Sequence, residues 1–320
     1  MLLSLVAGFV LLVLGGEALV RGAVATALGL GLSPLFIGIA LVGFGTSTPE
    51  LVTSLQAAFA GSPGIAVGNV VGSNIANILL ILGIGALLLP VVCAPKAFYR
   101  DGTVVALSAA ILAAIVMVGH LDRWTGIGFI AALLAYIVFT YVKESRSPDE
   151  SAAMHEAETE AELPLSGKPM GLPAALGFAI GGIALTIVGA RLLVDAAIEL
   201  AAVAGVSEAV VGLTVVAVGT SLPELVTAVI AALRKQGDVA LGNILGSNIY
   251  NIFGILGITA AVHPLDVPVE IIEFDIWVML AATVMLLFFA VSGWIVSRRE
   301  GAVLLALYVV YLGVLGWGSL

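Results

Sequence analysis

Two short segments of this chain set hydroxyls, a proline and a carboxylate inside long apolar runs: GTSTPE at 45–50 and GTSLPE at 219–224. A carboxylate at membrane depth costs a few kcal/mol on insertion scales, which makes Glu50 and Glu224 candidate functional groups. Thr46 and Ser47 precede Glu50 by four and three residues, as Thr220 and Ser221 precede Glu224, so helical spacing puts each set on one face. Pro49 and Pro223 have no N–H, so the carbonyls of Gly45 and Gly219 lose their helical partners. At membrane depth a freed carbonyl needs another partner, and a bound cation is a good candidate. The apolar run after each motif carries a polar stripe at i, i+4, i+8: Asn69, Ser73 and Asn77, then Asn243, Ser247 and Asn251. Four such stripes meeting centrally would line a cavity with oxygen alone. Oxygen ligands of flexible number suit Ca²⁺ or Na⁺. Two carboxylates balance one Ca²⁺, or two Na⁺ with a third held by neutral oxygens. A site that either ion satisfies, but not both together, is what exchange requires.

The rest of the chain must place these groups inside a membrane. Of 320 residues, 61% are hydrophobic and 10% charged, which is the balance of a polytopic helical membrane protein. The apolar stretches are continuous, not alternating, and this disfavours a β-barrel. Windows of about 20 apolar residues predict ten spans, near 2–22, 33–60, 66–90, 101–120, 124–143, 171–198, 207–233, 239–263, 274–296 and 300–318. The first is read as a membrane span rather than a cleaved signal, because no basic segment precedes it. One cysteine, Cys93, leaves no intrachain disulfide, and the three histidines fall in predicted loops, which argues against a zinc site.

The expected organisation is a first five-helix repeat at 1–143, a hydrophilic linker at 144–170 and a second five-helix repeat at 171–320. Glu224 minus Glu50 gives an offset of 174, and the same offset lays GNVVGSNIANILLILG at 68–83 on GNILGSNIYNIFGILG at 242–257. An odd number of spans per repeat inverts the second relative to the first. Lys and Arg placement then orients the chain. With the N-terminus outside, Arg21, Lys96, Arg100, Lys143, Arg146, Lys168, Arg234, Lys235, Arg298 and Arg299 fall on the cytoplasmic side. Both termini are thus expected outside, in a cell-membrane protein whose linker is cytoplasmic. Seven acids (Glu144, Asp149, Glu150, Glu156, Glu158, Glu160, Glu162) sit in that linker, so the net charge of −9 is no sign of a nucleic-acid partner. They read as a solvated tether.

Other polar groups have structural readings. Gly68 and Gly72, like Gly242 and Gly246, are small residues four apart and read as helix packing. Asn74 and Asn248 lie off the polar stripes and read as structural. Glu17 with Arg21, and Arg191 with Asp195, are four apart and read as self-compensating pairs near helix ends.

The paired segments GTSTPE…GNVVGSNIAN and GTSLPE…GNILGSNIYN resemble the two α-repeats of sodium/calcium exchangers, in the cation/calcium exchanger superfamily. The resemblance implies an all-α membrane protein of ten helices in two inverted five-helix repeats. It further implies an alternating-access antiporter whose long spans one and six slide against an eight-helix core. Carried onto this sequence, Glu50 and Glu224 are the ligands shared by calcium and sodium. Thr46 and Thr220 contribute largely through carbonyls, Ser47 and Ser221 through hydroxyls, and Ser73, Ser247, Asn77 and Asn251 from the facing helices. Gly43 and Ala217 offer backbone carbonyls to sodium. Asn251 is an aspartate in some microbial relatives and in potassium-dependent exchangers, so a potassium requirement is not expected. The short linker leaves no room for the calcium-sensing domains of animal exchangers.

The expected function is Na⁺/Ca²⁺ antiport at a shared midplane site, with no catalytic residues and no cofactor. The partners are the two ions and the lipid bilayer; no protein partner is expected, and the monomer should suffice. A proton/calcium antiporter on the same fold is the closest alternative, although Ser73 and Ser247 favour sodium. A calcium-selective channel is a further one. No Ser/His, paired-aspartate or HExxH arrangement at membrane depth suggests an intramembrane enzyme.

Overall fold

A computed structural model of the chain describes residues 1–42, 45–146, 152–153, 155–156, 159, 170–233 and 237–318. Gly43, a candidate carbonyl ligand, and most of the 144–170 linker lie outside the described residues. Helix α1 (Leu2–Gly29) is followed by α2 (Pro34–Ile37, running on as a π-helix over Gly38–Val42) and α3 (Thr48–Phe59). Then come α4 (Pro63–Leu88), α5 (Pro95–Val116) and α6 (Arg123–Arg146). The second half begins with α7 (Leu172–Ala204), α8 (Glu208–Thr220) and α9 (Leu222–Leu233). It ends with α10 (Gly237–Ile249, continuing to Val262), α11 (Ile271–Val291) and α12 (Arg298–Gly318).

Eight of these helices are long and apolar enough to cross a membrane singly, and α8 with α9, bent by 44° at their junction, gives a ninth span. The tenth expected span is α2 with α3, on either side of Gly43 and Phe44. Helices α1 and α7 run to 28 and 33 residues, well past their predicted ends. The last turns of α1 pack Val24 and Ala27 on Ile37 of α2, which carries the helix past its predicted end.

Burial sorts the helices into layers. In α4 and α10, 83% of the apolar window is enclosed by protein, against 22% in α6 and α7, so α4 and α10 are central and the others face lipid. Helices α1 and α7 lie against each other with almost no side chain between their backbones. A Cβ added at Gly15 would stand 2.6 Å from the Thr186 amide, and one at Gly182 would stand 2.7 Å from the Gly15 carbonyl oxygen. In lipid, where apolar side chains gain nothing by leaving the solvent, such close backbone contact is what joins helices.

The repeats are laced together by reciprocal contacts. Val91–Val92 pairs antiparallel with Ile295–Val296, and His120–Leu121 pairs with Leu265–Asp266, so each loop strand of one repeat is bound by a strand of the other. Within each repeat one device recurs: Asp101 accepts from the Tyr136 hydroxyl at 2.9 Å, and its counterpart Asp275 accepts from Tyr311 at 2.8 Å. Only the first repeat adds charge to this device: Arg100 bonds Asp101 at 2.7 Å and Glu144 at 2.5 Å. The π-turns also recur at the 174 offset, Gly38–Val42 with Gly212–Val216, and Asn77–Leu82 beside Tyr250–Leu256. Nothing in the residue types announced these wide turns, which are commonly found at functional positions.

Of the two predicted surface pairs, Glu17–Arg21 closes at 2.6 Å. Arg191 and Asp195 are both exposed and form no ion pair among the described residues. An exposed pair of this kind contributes only a few tenths of a kcal/mol, too little to hold two long side chains in place.

Replacing Gly182 with Val would force α1 and α7 apart. The expected outcome is a loss of about 1–3 kcal/mol, read as a lower melting temperature in detergent, whereas the same change at Gly177, which has open space around it, should leave the melt unchanged.

Candidate functional site

The site forms where both broken spans meet the two central helices. At each break the serine leaves helical geometry in the same way: Ser47 has φ −88° and ψ 9°, and Ser221 has φ −84° and ψ 11°. This bridge conformation is sparsely populated in ordinary backbone. It follows from the proline two residues on, whose missing N–H removes the bond that would hold the preceding turn. The next helix then starts on that proline, so Glu50 and Glu224 sit in first turns, where the N-terminal end of the helix dipole favours negative charge.

Both glutamates are 1% exposed. Each takes a hydroxyl from the opposite repeat: Ser221 donates to Glu50 Oε1 at 3.1 Å, and Ser47 donates to Glu224 Oε1 at 3.4 Å. This exchange brings the two motifs together, although 171 and 177 residues separate the bonded partners. The second carboxylate oxygens, Glu50 Oε2 and Glu224 Oε2, are buried without a hydrogen-bond partner. So are Thr46 Oγ1, Asn77 Oδ1, Ser247 Oγ and Asn251 Oδ1. Buried polar atoms are nearly always paired, because an unmade hydrogen bond costs about 1–3 kcal/mol. A concentration of orphaned oxygens from both repeats, with no base ion-paired to either glutamate among the described residues, has the donor chemistry of a hard-cation site.

The remaining candidates fall into place around these atoms. Ser73 donates to the Ala217 carbonyl at 3.5 Å, which sets that carbonyl beside the polar stripe of α4. Thr220 is occupied: its hydroxyl reaches the carbonyls of Val216 and Ala217 at 3.1 and 3.3 Å and the side chain of Asn69 at 3.0 Å. Among the described residues no cluster of three or more His, Cys, Asp or Glu could hold a metal. Two acids with hydroxyl, amide and carbonyl oxygens form a weaker-field set than the clusters of structural metals.

Two asparagines do more than their spacing suggested. Asn248, read as structural, accepts at 3.1 Å from Asn77 Nδ2, which fixes the Asn77 amide with its oxygen left over. Asn69 is the tie between the two breaks. Its Nδ2 donates to the Glu50 carbonyl at 3.2 Å and to Ser54 at 3.0 Å, while its Oδ1 accepts from Thr220 of the other repeat. The Asn69–Ser73–Asn77 stripe contained the signal, but only the fold shows that Asn69 faces both breaks. Asn74 keeps the structural role read for it, donating to the Val70 carbonyl at 2.9 Å.

The pseudo-symmetry is broken at several points. Asn243, the counterpart of Asn69, has a buried Nδ2 with no partner, and so does Thr46 Oγ1, the counterpart of the Thr220 hydroxyl. The face of the bundle where α6 ends and α7 begins is here called the linker face. Opposite it, α4 and α8 touch backbone to backbone: a Cβ at Gly68 would stand 2.8 Å from the Ala209 carbonyl, and one at Gly72 would stand 2.5 Å from the Leu213 carbonyl. Near the linker face, Gly246 (the counterpart of Gly72) has open space around it. The backbones are thus in contact on one side of the site, whereas on the other Gly246 lacks such a neighbour and the Tyr250 hydroxyl of α10 reaches across to the Ile39 carbonyl.

A helical membrane bundle of duplicated halves, with buried oxygen-bearing groups between broken helices, is the build of a secondary transporter. The sequence model of the family "Sodium/calcium exchanger protein" matches residues 1–142 and 174–317, so the chain belongs to the sodium/calcium exchanger family and is an integral multi-pass membrane protein. It is 36% identical over 321 residues to the inner membrane protein YrbG of Escherichia coli K12, covering 98% of this chain and 96% of that one. It is 35% identical over 344 residues to the sodium/calcium exchanger MaX1 of Methanosarcina acetivorans, covering 98% and 97%. A solved structure of the sodium-calcium exchanger NCX_Mj, soaked with 10 mM Na⁺ and 10 mM Sr²⁺, superposes with a TM-score of 0.65 at 30% identity over 97% of this chain and 96% of that one.

The broken symmetry generates a test. Asn69→Leu removes a bridge between both breaks and should cost about 1–3 kcal/mol of stability. Asn243→Leu, which removes no hydrogen bond made in this state, should cost less than half as much in the same thermal unfolding assay.

Proposed function

We propose that this chain is an antiporter that exchanges sodium for calcium at one shared site, opened alternately to the two sides of the membrane. The observation that carries the reading is the set of orphaned oxygens. Glu50 Oε2, Glu224 Oε2, Thr46 Oγ1, Asn77 Oδ1, Ser247 Oγ and Asn251 Oδ1 come from both repeats and are buried without a hydrogen bond of ordinary geometry among the described residues. One Ca²⁺ neutralises the two carboxylates. Sodium ions neutralise them equally well, with hydroxyls and the Gly43 and Ala217 carbonyls completing shells that the acids alone do not fill. The ions therefore compete, and competition provides the coupling. In this reading Ser47 and Ser221 orient the glutamates, Ser73 and Ser247 face sodium, Asn77 and Asn251 close the site from α4 and α10, and the break at Thr46 and Thr220 presents carbonyls.

The excess of Lys and Arg at the linker face supports a cytoplasmic linker with both termini outside. In this reading the tight α4–α8 contact is the closed extracellular gate, and the side around Gly246, crossed by the Tyr250–Ile39 hydrogen bond, is the cytoplasmic way in. Each chain contains its whole site, and transport needs no cofactor and no second copy.

The test is radioactive calcium uptake into proteoliposomes loaded with sodium and diluted into sodium-free medium. Uptake should require internal sodium and fall at least about 100-fold in Glu50→Gln or Glu224→Gln, each of which removes a charge made for the ion at membrane depth. Uptake that ignores sodium and follows an imposed pH gradient would instead make the chain a proton/calcium antiporter on the same glutamates.

A further inference from the structure

The linker is not simply a tether. Ala152 is buried in an apolar cluster with Leu35 of α2 and Ile39 of its π-turn, with Ile137 and Tyr141 of α6 packed against them. Beside it the backbone carbonyl of His155 lies so close over Gly38 that an added Cβ would collide with it. His155 Nε2 stands 3.8 Å from Glu144 Oε1, and Glu144 is itself held by Arg100 at 2.5 Å. The Thr159 hydroxyl donates back to the His155 carbonyl at 3.1 Å, and the described residues 152–153, 155–156 and 159 are helical.

The inverted repeat shows what that seat is for. On the closed side, α4 packs on α8 through four places. Gly64 meets Glu208 and Ala209, Gly68 meets Ala209 and Leu213, Gly72 meets Leu213 and Ala217, and Gly212 meets Gly64 and Ile65. Subtracting or adding 174 carries Ala209, Gly212 and Leu213 onto Leu35, Gly38 and Ile39, and carries Gly68 onto Gly242. When the linker-face side closes by the same packing, Leu35, Gly38 and Ile39 must receive α10 around Gly242. These are the three residues now covered by Ala152 and His155. Meanwhile Gly246, one turn further along α10, faces open space.

We propose that the linker helix around Ala152 and His155 is a built-in wedge: it occupies on α2 the seat that α10 must take, and so holds the site open toward the linker face until it leaves. The consequence is autoinhibition of turnover rather than of ion binding. The inference rests on the alternating-access reading above, but it concerns which surfaces meet and can be measured without any ion.

Two cysteine pairs test it in a background where the single native Cys93 is replaced by Ala. Leu35→Cys with Ala152→Cys should form a disulfide readily under mild oxidation, since the two residues touch. Leu35→Cys with Gly242→Cys reports α10 in the seat. That bond should form slowly with the linker intact and about tenfold faster once Ala152→Asp and His155→Gly are added, because a carboxylate pressed on Leu35 and Ile39 is costly unless it leaves. Equal rates in the two arms, or no disulfide between positions 35 and 152, would overturn the proposal. In proteoliposomes the 35–152 disulfide should abolish calcium uptake and dithiothreitol should restore it. Continued uptake with the linker pinned would also overturn the proposal. Should no calcium flux occur under any gradient, the transport reading fails by itself, and the 35–242 cross-linking rates still decide the wedge.

Discussion

Two carboxylates buried together without a base between them are the constraint on which the rest of this structure depends. A charge at that depth is tolerated only if it faces a partner or a filled cavity. Glu50 and Glu224 are given hydroxyls by Ser221 and Ser47, which satisfies one oxygen of each and leaves the other buried without a hydrogen-bond partner among the described residues. The protein has spent its local order to do this: two helices are broken, two prolines withhold their N–H groups, and two wide turns carry Asn77 and Asn251 inward. A pair of helices that simply needed to pack would carry none of these features. A site whose charge is completed by its cargo needs all of them.

Inversion of the repeat solves a geometric problem that a single repeat cannot. Many contacts at and around the site cross between halves, including the Ser–Glu exchange, the Asn69–Thr220 bond, the Asn77–Asn248 bond and both loop-strand pairs. Because the halves are nearly equivalent, each contact on one side of the site predicts a contact on the other. The unmade ones then carry information. Asn243 and Thr46 lack the bond that Asn69 and Thr220 make, and Gly246 lacks the neighbour that Gly72 has. A two-state device whose states exchange these sets of contacts needs no part that the other repeat does not already contain, and the small residues along α1 and α7 allow those helices to lie close enough to move as a pair.

Much of this was legible in the sequence, for specific physical reasons. Glutamate and proline in an apolar run are too costly to be accidental, so the site motifs stood out, and the gapless 174 offset exposed the duplication. Ten spans followed from hydropathy because lipid imposes length and composition directly. What stayed hidden depends on contacts between distant segments. Asn248 looked off-stripe, yet the fold brings it against Asn77 of the facing helix. The linker looked like a solvated acidic tether because its charges dominate its composition, although Glu156 is exposed while Ala152 is buried. The ends of α1 and α7 were underestimated because glycine and alanine score weakly as apolar residues and are nonetheless what backbone packing requires.

The central claim is that one cavity, charged by both glutamates, serves both ions in turn. It is tested most directly by calorimetric titration of calcium into purified protein at increasing fixed sodium. The account predicts one calcium bound per chain, its affinity falling steeply with sodium as several sodium ions displace it, and no binding at all in the Glu50→Gln/Glu224→Gln double variant. Calcium binding that sodium leaves unchanged, or that survives loss of both glutamates, would contradict it.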